Sequence, residues 1–423
     1  MPTPSRQNLS YFQKENILFF LMNICYFAAN SIYFGFLTMY LTSQGYSSVS
    51  CGVINTLISL ISLIFQPIAG YLTDTFITIK KYLVLVSIGA IATTFLLPLT
   101  ASKPILAGLS IMIVALFTCP STYLADTWSV TLREDLPYID YGKNRAGGSL
   151  GYCAMSVIAG FLIAPFGYEL LFLLHMILFA IFIVVVLQIP SVPCRNAKKQ
   201  PSAKSSDSPK DSSEESLGFG KAVSKLAHNP KYMIFLVSAV CYTISSRAFS
   251  FSLPYNVLHL DSGNDVMGVV MAFGAFCEMP MLFWISKGIR RFRLSNLYLV
   301  CCIIMLFRGI ALATAFAIPM LFLSQACQGL SNAIFLAVSL EIVSRVVSIH
   351  IRTTAVTFLI GMTNGLGAIV GTFVSGILID QIGVTSTAWV MAIPTAIGFL
   401  IYLLSVLTER KKSGSIINVG VRR

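Results

Sequence analysis

Long apolar runs separated by short polar breaks dominate this chain. Twelve runs reach the length needed to cross about 30 Å of hydrocarbon. They cover 17–42, 49–73, 82–100, 104–129, 145–166, 169–190, 231–256, 264–286, 295–317, 318–344, 354–379 and 385–407. A spanning segment in lipid must satisfy its own backbone N–H and C=O groups, so each run predicts a helix. Gly and Pro inside several runs fit that reading, because membrane helices tolerate them. The break near Ala317-Ile318-Pro319 carries the weakest polar signal.

One polar stretch is different in kind. Residues 191–230 are rich in Ser, Lys, Pro and Asp and hold little that could be buried. They predict a solvated, largely disordered linker. A short amphipathic piece near its end (Leu217, Phe219, Ala222, Val223, Leu226) is suited to a membrane surface. The linker divides the chain into an N-terminal six-helix bundle (1–190) and a C-terminal one (231–410), with a basic tail at 411–423.

Composition agrees with the pattern. Of 423 residues, 56% are hydrophobic and 11% charged, against about 25% charged in a soluble domain. Mean hydropathy is +0.79. The expected class is an all-α integral membrane protein. No short leader with a small-residue cleavage site precedes the first run, which is therefore expected to be retained. The 10 Cys lie mostly in apolar runs without paired spacing, so they read as small buried hydrophobes.

The net charge of +12 could suggest nucleic acid, but its distribution points elsewhere. A cytoplasmic N-terminus puts almost every loop Lys and Arg on the inner side, including Lys80, Lys81, Arg133 and the cluster Lys287, Arg290, Arg291 and Arg293. Only Lys103 falls outside. That is the positive-inside asymmetry, and it places both termini in the cytoplasm of a cell-membrane protein. No nucleic-acid partner is needed.

The two halves echo each other at one offset. Leu150-Gly151 with Gly160 recurs as Leu366-Gly367 with Gly376. Tyr82-Leu83-Val84 recurs as Tyr298-Leu299-Val300, and Gly52-Val53 as Gly268-Val269. Every pair is separated by 216 residues. Three matches at one offset, in corresponding helices, predict an internal duplication, the plan of many secondary transporters.

A few ionisable residues fall inside or at the mouths of these helices. Such groups are costly and mark candidate sites. Asp126 ends one helix and Arg145 opens the next, so they can pair when empty and exchange that pairing for a polar solute; the plain alternative is a structural ion pair. Glu278 is a lone carboxyl in an apolar helix, which must find a partner or hold a proton. Arg308 is the only charge in its helix. Arg247 either answers Glu278 or attracts an anionic solute. His175 reads as a packing residue, and Asp380 as a cap at a helix end.

Gly70-Tyr71-Leu72-Thr73-Asp74, followed by Lys80-Lys81, resembles the loop signature of the major facilitator superfamily. The run SLISLIFQPIAGYLTD before it, and Tyr141-Gly142-Lys143-Asn144-Arg145 with Gly148-Ser149-Leu150-Gly151-Tyr152, resemble the lactose permease branch of oligosaccharide–proton symporters. Nucleoside and aromatic-acid permeases are related to that branch. The resemblance implies a major facilitator fold of two pseudo-symmetric six-helix bundles. It implies that Asp126 and Arg145 contact substrate, that Tyr152 stacks on a sugar ring, and that Glu278, with Arg308 and Asp126, handles a proton. It also implies that Gly70, Asp74, Lys80 and Lys81 form a conformational loop. Against that branch, Gln325, Gln328 and Ser331 stand where titrating residues are expected. Gln325 and Gln328 then read as neutral hydrogen-bonding groups for substrate.

Other chemistry is missing from the sequence. There is no phosphate-binding Gly-Lys-Ser loop, no metal-ligand spacing and no catalytic constellation, so neither a cofactor nor an enzymatic activity is expected. The expected function is proton-coupled import of a sugar or similar small polar solute by a monomeric symporter in the lipid bilayer. A nucleoside or aromatic-acid permease, an exporter, and a non-transporting membrane receptor are the alternatives.

Overall fold

The computed structural model describes residues 13–192, 224–348 and 351–420. It contains twelve helices long and apolar enough to cross a membrane. They are α1 (Lys14–Ser43), α2 (Ser48–Thr75), α3 (Ile79–Thr100), α4 (Pro104–Asp135), α5 (Tyr141–Phe166), α6 (Glu169–Gln188), α7 (Pro230–His259), α8 (Asn264–Arg291), α9 (Leu294–Ala313), α10 (Ile318–Val346), α11 (Thr354–Ile382) and α12 (Val384–Gly420). The all-α, twelve-helix expectation holds. Most of the expected 191–230 linker lies outside the described residues. So do Leu217, Phe219, Ala222 and Val223 of the amphipathic piece; Leu226 is described and buried. The tail is helical as far as Gly420, in continuation of α12.

The helix ends follow from local chemistry. Thr78, Asp140 and Asn229 cap α3, α5 and α7, each side chain accepting a bond from an N–H three residues on. Pro104, Pro230 and Pro319 sit in first turns, where a missing N–H costs nothing. Inside a helix, proline acts differently. Pro98 removes a bond and crowds the preceding turn, and α3 breaks at Phe95 into Ile79–Thr94 and Leu96–Thr100. In α11 the segment Gly361–Gly367 is a π-helical turn. Such turns are rare and concentrate at functional sites.

Contacts group the chain into two compact units. One comprises Met1–Tyr46, Leu60–Lys204 and Gly263–Ala275; the other comprises Ser47–Ser59, Ser205–Ser262 and Phe276–Arg423. Within the first, α1 packs on α5 and α6, and α3 on α4 and α6. Within the second, α7 packs on α11 and α12, and α9 on α10 and α12. The packing order repeats at the offset of the sequence echoes, as a duplication requires. The first unit centres on Phe19, Met22, Tyr26, Trp128, Phe179 and Phe182. In the second, buried Tyr298 lies edge-on to Phe235 and Tyr402, and its hydroxyl meets Ser238 Oγ at 2.9 Å. The outward faces stay apolar and open: Ile105 is 80% exposed and Leu99 78%. Such surface is suited to lipid rather than water.

Glycine explains why each unit takes in a short piece of the other half of the sequence. Lipid tails are as apolar as Leu, so membrane helices associate through close backbone approach at small residues. A Cβ added to Gly52 of α2 would lie 3.1 Å from the Gly376 Cα of α11, in the second unit. A Cβ added to Gly268 of α8 would lie 3.0 Å from the Gly160 Cα of α5, in the first. These four glycines are members of the pairs that echo at 216 residues. Asp380 strengthens the first contact, its carboxylate accepting from the backbone N–H of Ser48 at 3.1 Å and of Val49 at 3.3 Å. It caps the start of α2 rather than its own helix.

Gly268→Leu should force α5 and α8 apart, because backbone leaves no room for the new side chain. Overpacking of this kind costs about 1–3 kcal/mol. Thermal unfolding of the purified protein should shift down by several degrees. An unchanged melting temperature would show that the approach is looser than the structure has it.

Candidate functional site

The position of Arg145 is set from α1. Asn16 is fully buried, and its Oδ1 accepts from the Asp140 N–H at 3.0 Å and from Asn144 Nδ2 at 3.1 Å. Its own Nδ2 donates to the Tyr138 carbonyl at 3.0 Å. One amide thus ties down the loop between α4 and α5 and fixes the first turn of α5. The helix begins at Tyr141 rather than at Arg145, so Arg145 stands one turn inside it.

From there its guanidinium stacks over Phe27 of α1, 4.2 Å from the ring centroid. Its Nε lies 3.9 Å from Asp126 Oδ1 of α4. The Tyr141 side chain lies near the same carboxylate. Both partners keep access to solvent, at 35% and 29% side-chain exposure. The structure therefore brings the expected pair together, but loosely, at the outer limit of ion-pair distance. Tyr152 is half-buried two turns further along α5.

The second unit carries two separate polar groups. Arg308 of α9 is fully buried. It donates to Gln328 Oε1 at 2.6 Å, to Ser250 Oγ at 3.1 Å and to the Ser246 carbonyl at 3.2 Å. Phe249 lies under it at 5.6 Å. Glu278 of α8 is half-buried, and Asn332 of α10 donates to its Oε1 at 3.0 Å. The structure does not join Arg308 to Glu278. Arg247, exposed near the middle of α7, donates from Nη2 to Asn364 Oδ1 at 3.1 Å. Asn364 belongs to the π-helical turn of α11. Gln325 is buried. Sequence reasoning missed Asn332 and Asn364. Both are polar residues inside apolar runs, but without charge they look like ordinary tolerated amides.

The loop residues land apart. Gly70 and Asp74 lie in the last turns of α2, with Asp74 exposed, and no ion pair reaches Asp74 among the described residues. Lys80 instead reaches the end of α6, donating to the Leu187 carbonyl at 2.7 Å and the Ile189 carbonyl at 3.0 Å. A cation at a helix C-terminus meets unpaired carbonyls and the negative end of the dipole. Lys81 contributes its backbone N–H to the Thr78 cap.

His175 is fully buried between the rings of Tyr33 and Phe179, at 4.9 and 4.8 Å. Thr94 Oγ1 donates to the Ala90 carbonyl, so it accepts from His175 Nδ1, 2.9 Å away. That bond accounting leaves Nε2 as a bare acceptor without a partner. Among the described residues no three His, Cys, Asp or Glu converge on a point that could hold a metal ion.

Comparison with known proteins gives the family. The profile of the MFS_1-like family matches residues 16–390. The uncharacterized transporter YwbF of Bacillus subtilis (strain 168) is 25% identical over 389 residues, covering 89% of this chain and 90% of that protein. The maltose permease of Geobacillus stearothermophilus is 27% identical over 158 residues, 37% of this chain and 40% of that protein. Among solved structures, the nucleoside transporter NupG superposes with a TM-score of 0.74 at 19% identity, covering 93% of this chain and 98% of that one. A point mutant of NupG gives 0.79 at 17% identity, with 92% and 98% covered. At these identities the structures speak for the fold alone.

Proposed function

We propose a transport task for this chain, which belongs to the MFS_1-like family and is a multi-pass major facilitator transporter, not an enzyme. The task is import of a sugar or similar small polar solute, coupled to protons and working by alternating access. One observation carries the reading. The Asp126–Arg145 pair sits within membrane-spanning helices yet is 3.9 Å apart and open to solvent. A structural ion pair inside a membrane protein needs close, fully satisfied geometry to offset desolvation. A loose pair has bonding capacity to give to a solute, and hydroxyl groups suit it on both sides: the carboxylate accepts and the guanidinium donates. Likeness to a maltose permease over 158 residues supports a sugar.

Proton coupling falls to Glu278. Gln325 and Gln328 cannot titrate near neutrality, and this reading assigns Asp126, with Arg145, to the solute. Glu278 is half-buried in an otherwise apolar helix, and Asn332 donates to its Oε1 at 3.0 Å. In this reading it is the carboxyl that takes and releases the proton. The positive-inside charge pattern supports a cell-membrane orientation with both termini cytoplasmic.

Three experiments test the reading. Arg145→Lys keeps the charge but loses the planar fork and the stack on Phe27. Solute binding should fall at least tenfold while membrane expression holds; native affinity would make the pair structural. Glu278→Gln should abolish accumulation driven by a pH gradient yet retain solute exchange in proteoliposomes. Full pH-driven accumulation by that variant would remove Glu278 from coupling. A Cys introduced by Ser206→Cys, in a background without other reactive Cys, should resist an impermeant thiol reagent added to intact cells. Ready labelling from outside would reverse the orientation.

A further inference from the structure

The second unit holds two arginines inside membrane-spanning helices, Arg247 and Arg308, and neither has a carboxylate within ion-pair distance among the described residues. Their acceptors are neutral: Asn364 for Arg247, and Gln328, Ser250 and a carbonyl for Arg308. The two arginines differ in access. Arg308 is fully buried and spends Nη1 and Nη2 on protein acceptors. Arg247 is exposed and makes one bond.

That one bond fixes the chemistry presented beside it. A guanidinium has five N–H donors and no acceptor, so Asn364 must turn its carbonyl oxygen toward it. The Asn364 NH2 then points away as a further donor. An incoming group meets donors from both side chains and a full positive charge. It must supply acceptor oxygens, and a planar or tetrahedral oxyanion matches the guanidinium fork in two bonds at once. The scaffold holds this arrangement in place: Asn364 projects from the π-helical turn Gly361–Gly367, where backbone geometry departs from the regular helix.

We infer that Arg247 and Asn364 form a binding site for an oxyanion, and that the transported solute carries a carboxylate or a phosphate ester. The inference rests on the transport reading above and narrows its solute from any small polar molecule to an anionic one. An uncompensated guanidinium deep in a membrane protein is expensive, and a bound anion supplies the counter-charge the protein omits.

Matched pairs of solutes test it: gluconate against glucose, benzoate against benzamide, and uridine 5′-monophosphate against uridine. Each is added at equal ionic strength to the purified full-length protein in nanodiscs, and thermal unfolding is followed. At least one anion should raise the melting temperature where its neutral partner does not, and the pair that responds distinguishes carboxylate from phosphate. Arg247→Gln should weaken that response about thirtyfold or more, the usual effect of removing one member of a hydrogen-bonded charge pair.

Asn364→Asp gives a second, independent check. It places a carboxylate against Arg247 and should abolish the anion response while raising the melting temperature of the solute-free protein. Equal responses to anionic and neutral members, no response to any anion, or an undiminished response in either variant would overturn the site. Counterflow in proteoliposomes separates this from the broader reading. Arg247-dependent binding without flux would defeat transport and leave the anion site. Flux of a neutral member alone would defeat the anion site and leave transport.

Discussion

A charge placed in hydrocarbon must find its compensation inside the protein, and the polar anatomy of this chain follows from that cost. The two units meet it differently. In the first, Arg145 has an ionic partner in Asp126 and an aromatic face in Phe27. In the second, Arg308 is enclosed by amide, hydroxyl and carbonyl oxygens, and Arg247 rests on a single amide. A neutral acceptor stabilises a guanidinium through hydrogen bonding but leaves its charge in place. The first unit is therefore close to neutral at depth, whereas the second keeps a positive excess. The same packing order recurs in the two units, but the charge carried on it differs.

Packing obeys a related limit. Burying apolar side chains gains little when the surrounding solvent is equally apolar, so contact between helices has to come from shape and hydrogen bonds. The glycine pairs Gly52–Gly376 and Gly160–Gly268 supply the shape. The helix starts supply the hydrogen bonds. Asp380 is badly placed for its own helix, near the negative end of the α11 dipole, but well placed for the orphan N–H groups of α2. The corresponding start of α8 is tied more weakly, by the Tyr168 hydroxyl donating to Asn264 at 2.9 Å. The α2–α11 contact is thus closed by a carboxylate on backbone N–H groups, and the start of α8 by a neutral hydroxyl–amide bond.

Much of this was legible in the chain. Spans, duplication and the lone charges stand out because hydropathy and charge are properties of single positions. Asp126 and Arg145 could be paired because their helices are consecutive. What escaped depends on partners distant in sequence. Lys80 falls in the same loop motif as Asp74, and its ammonium also serves the end of α6, more than a hundred residues on. Asp380 was expected to be a cap, but which helix it caps is a tertiary fact. Asn16, Asn332 and Asn364 are uncharged, and nothing local separates an amide that organises a site from one that bonds its own preceding turn, as Asn30 does. The π-helical turn was hidden for the same reason, since Gly361-Met362-Thr363-Asn364-Gly365 fits a regular helix equally well in composition.

In the transport reading proposed above, the charges of the second unit would link the solute to the proton. Away from the helix ends, its described residues hold two guanidinium groups, Arg247 and Arg308, and one carboxylate, Glu278. An ionised Glu278 would partly cancel the positive field that an oxyanion meets at Arg247, and a neutral one would not. Binding linkage is reciprocal, so each ligand would then favour the other. Doubly loaded and empty states would gain at the expense of the singly loaded ones, the population pattern a carrier needs to move solute and proton together. An arginine paired with an amide instead of an acid leaves the charge that such coupling would require.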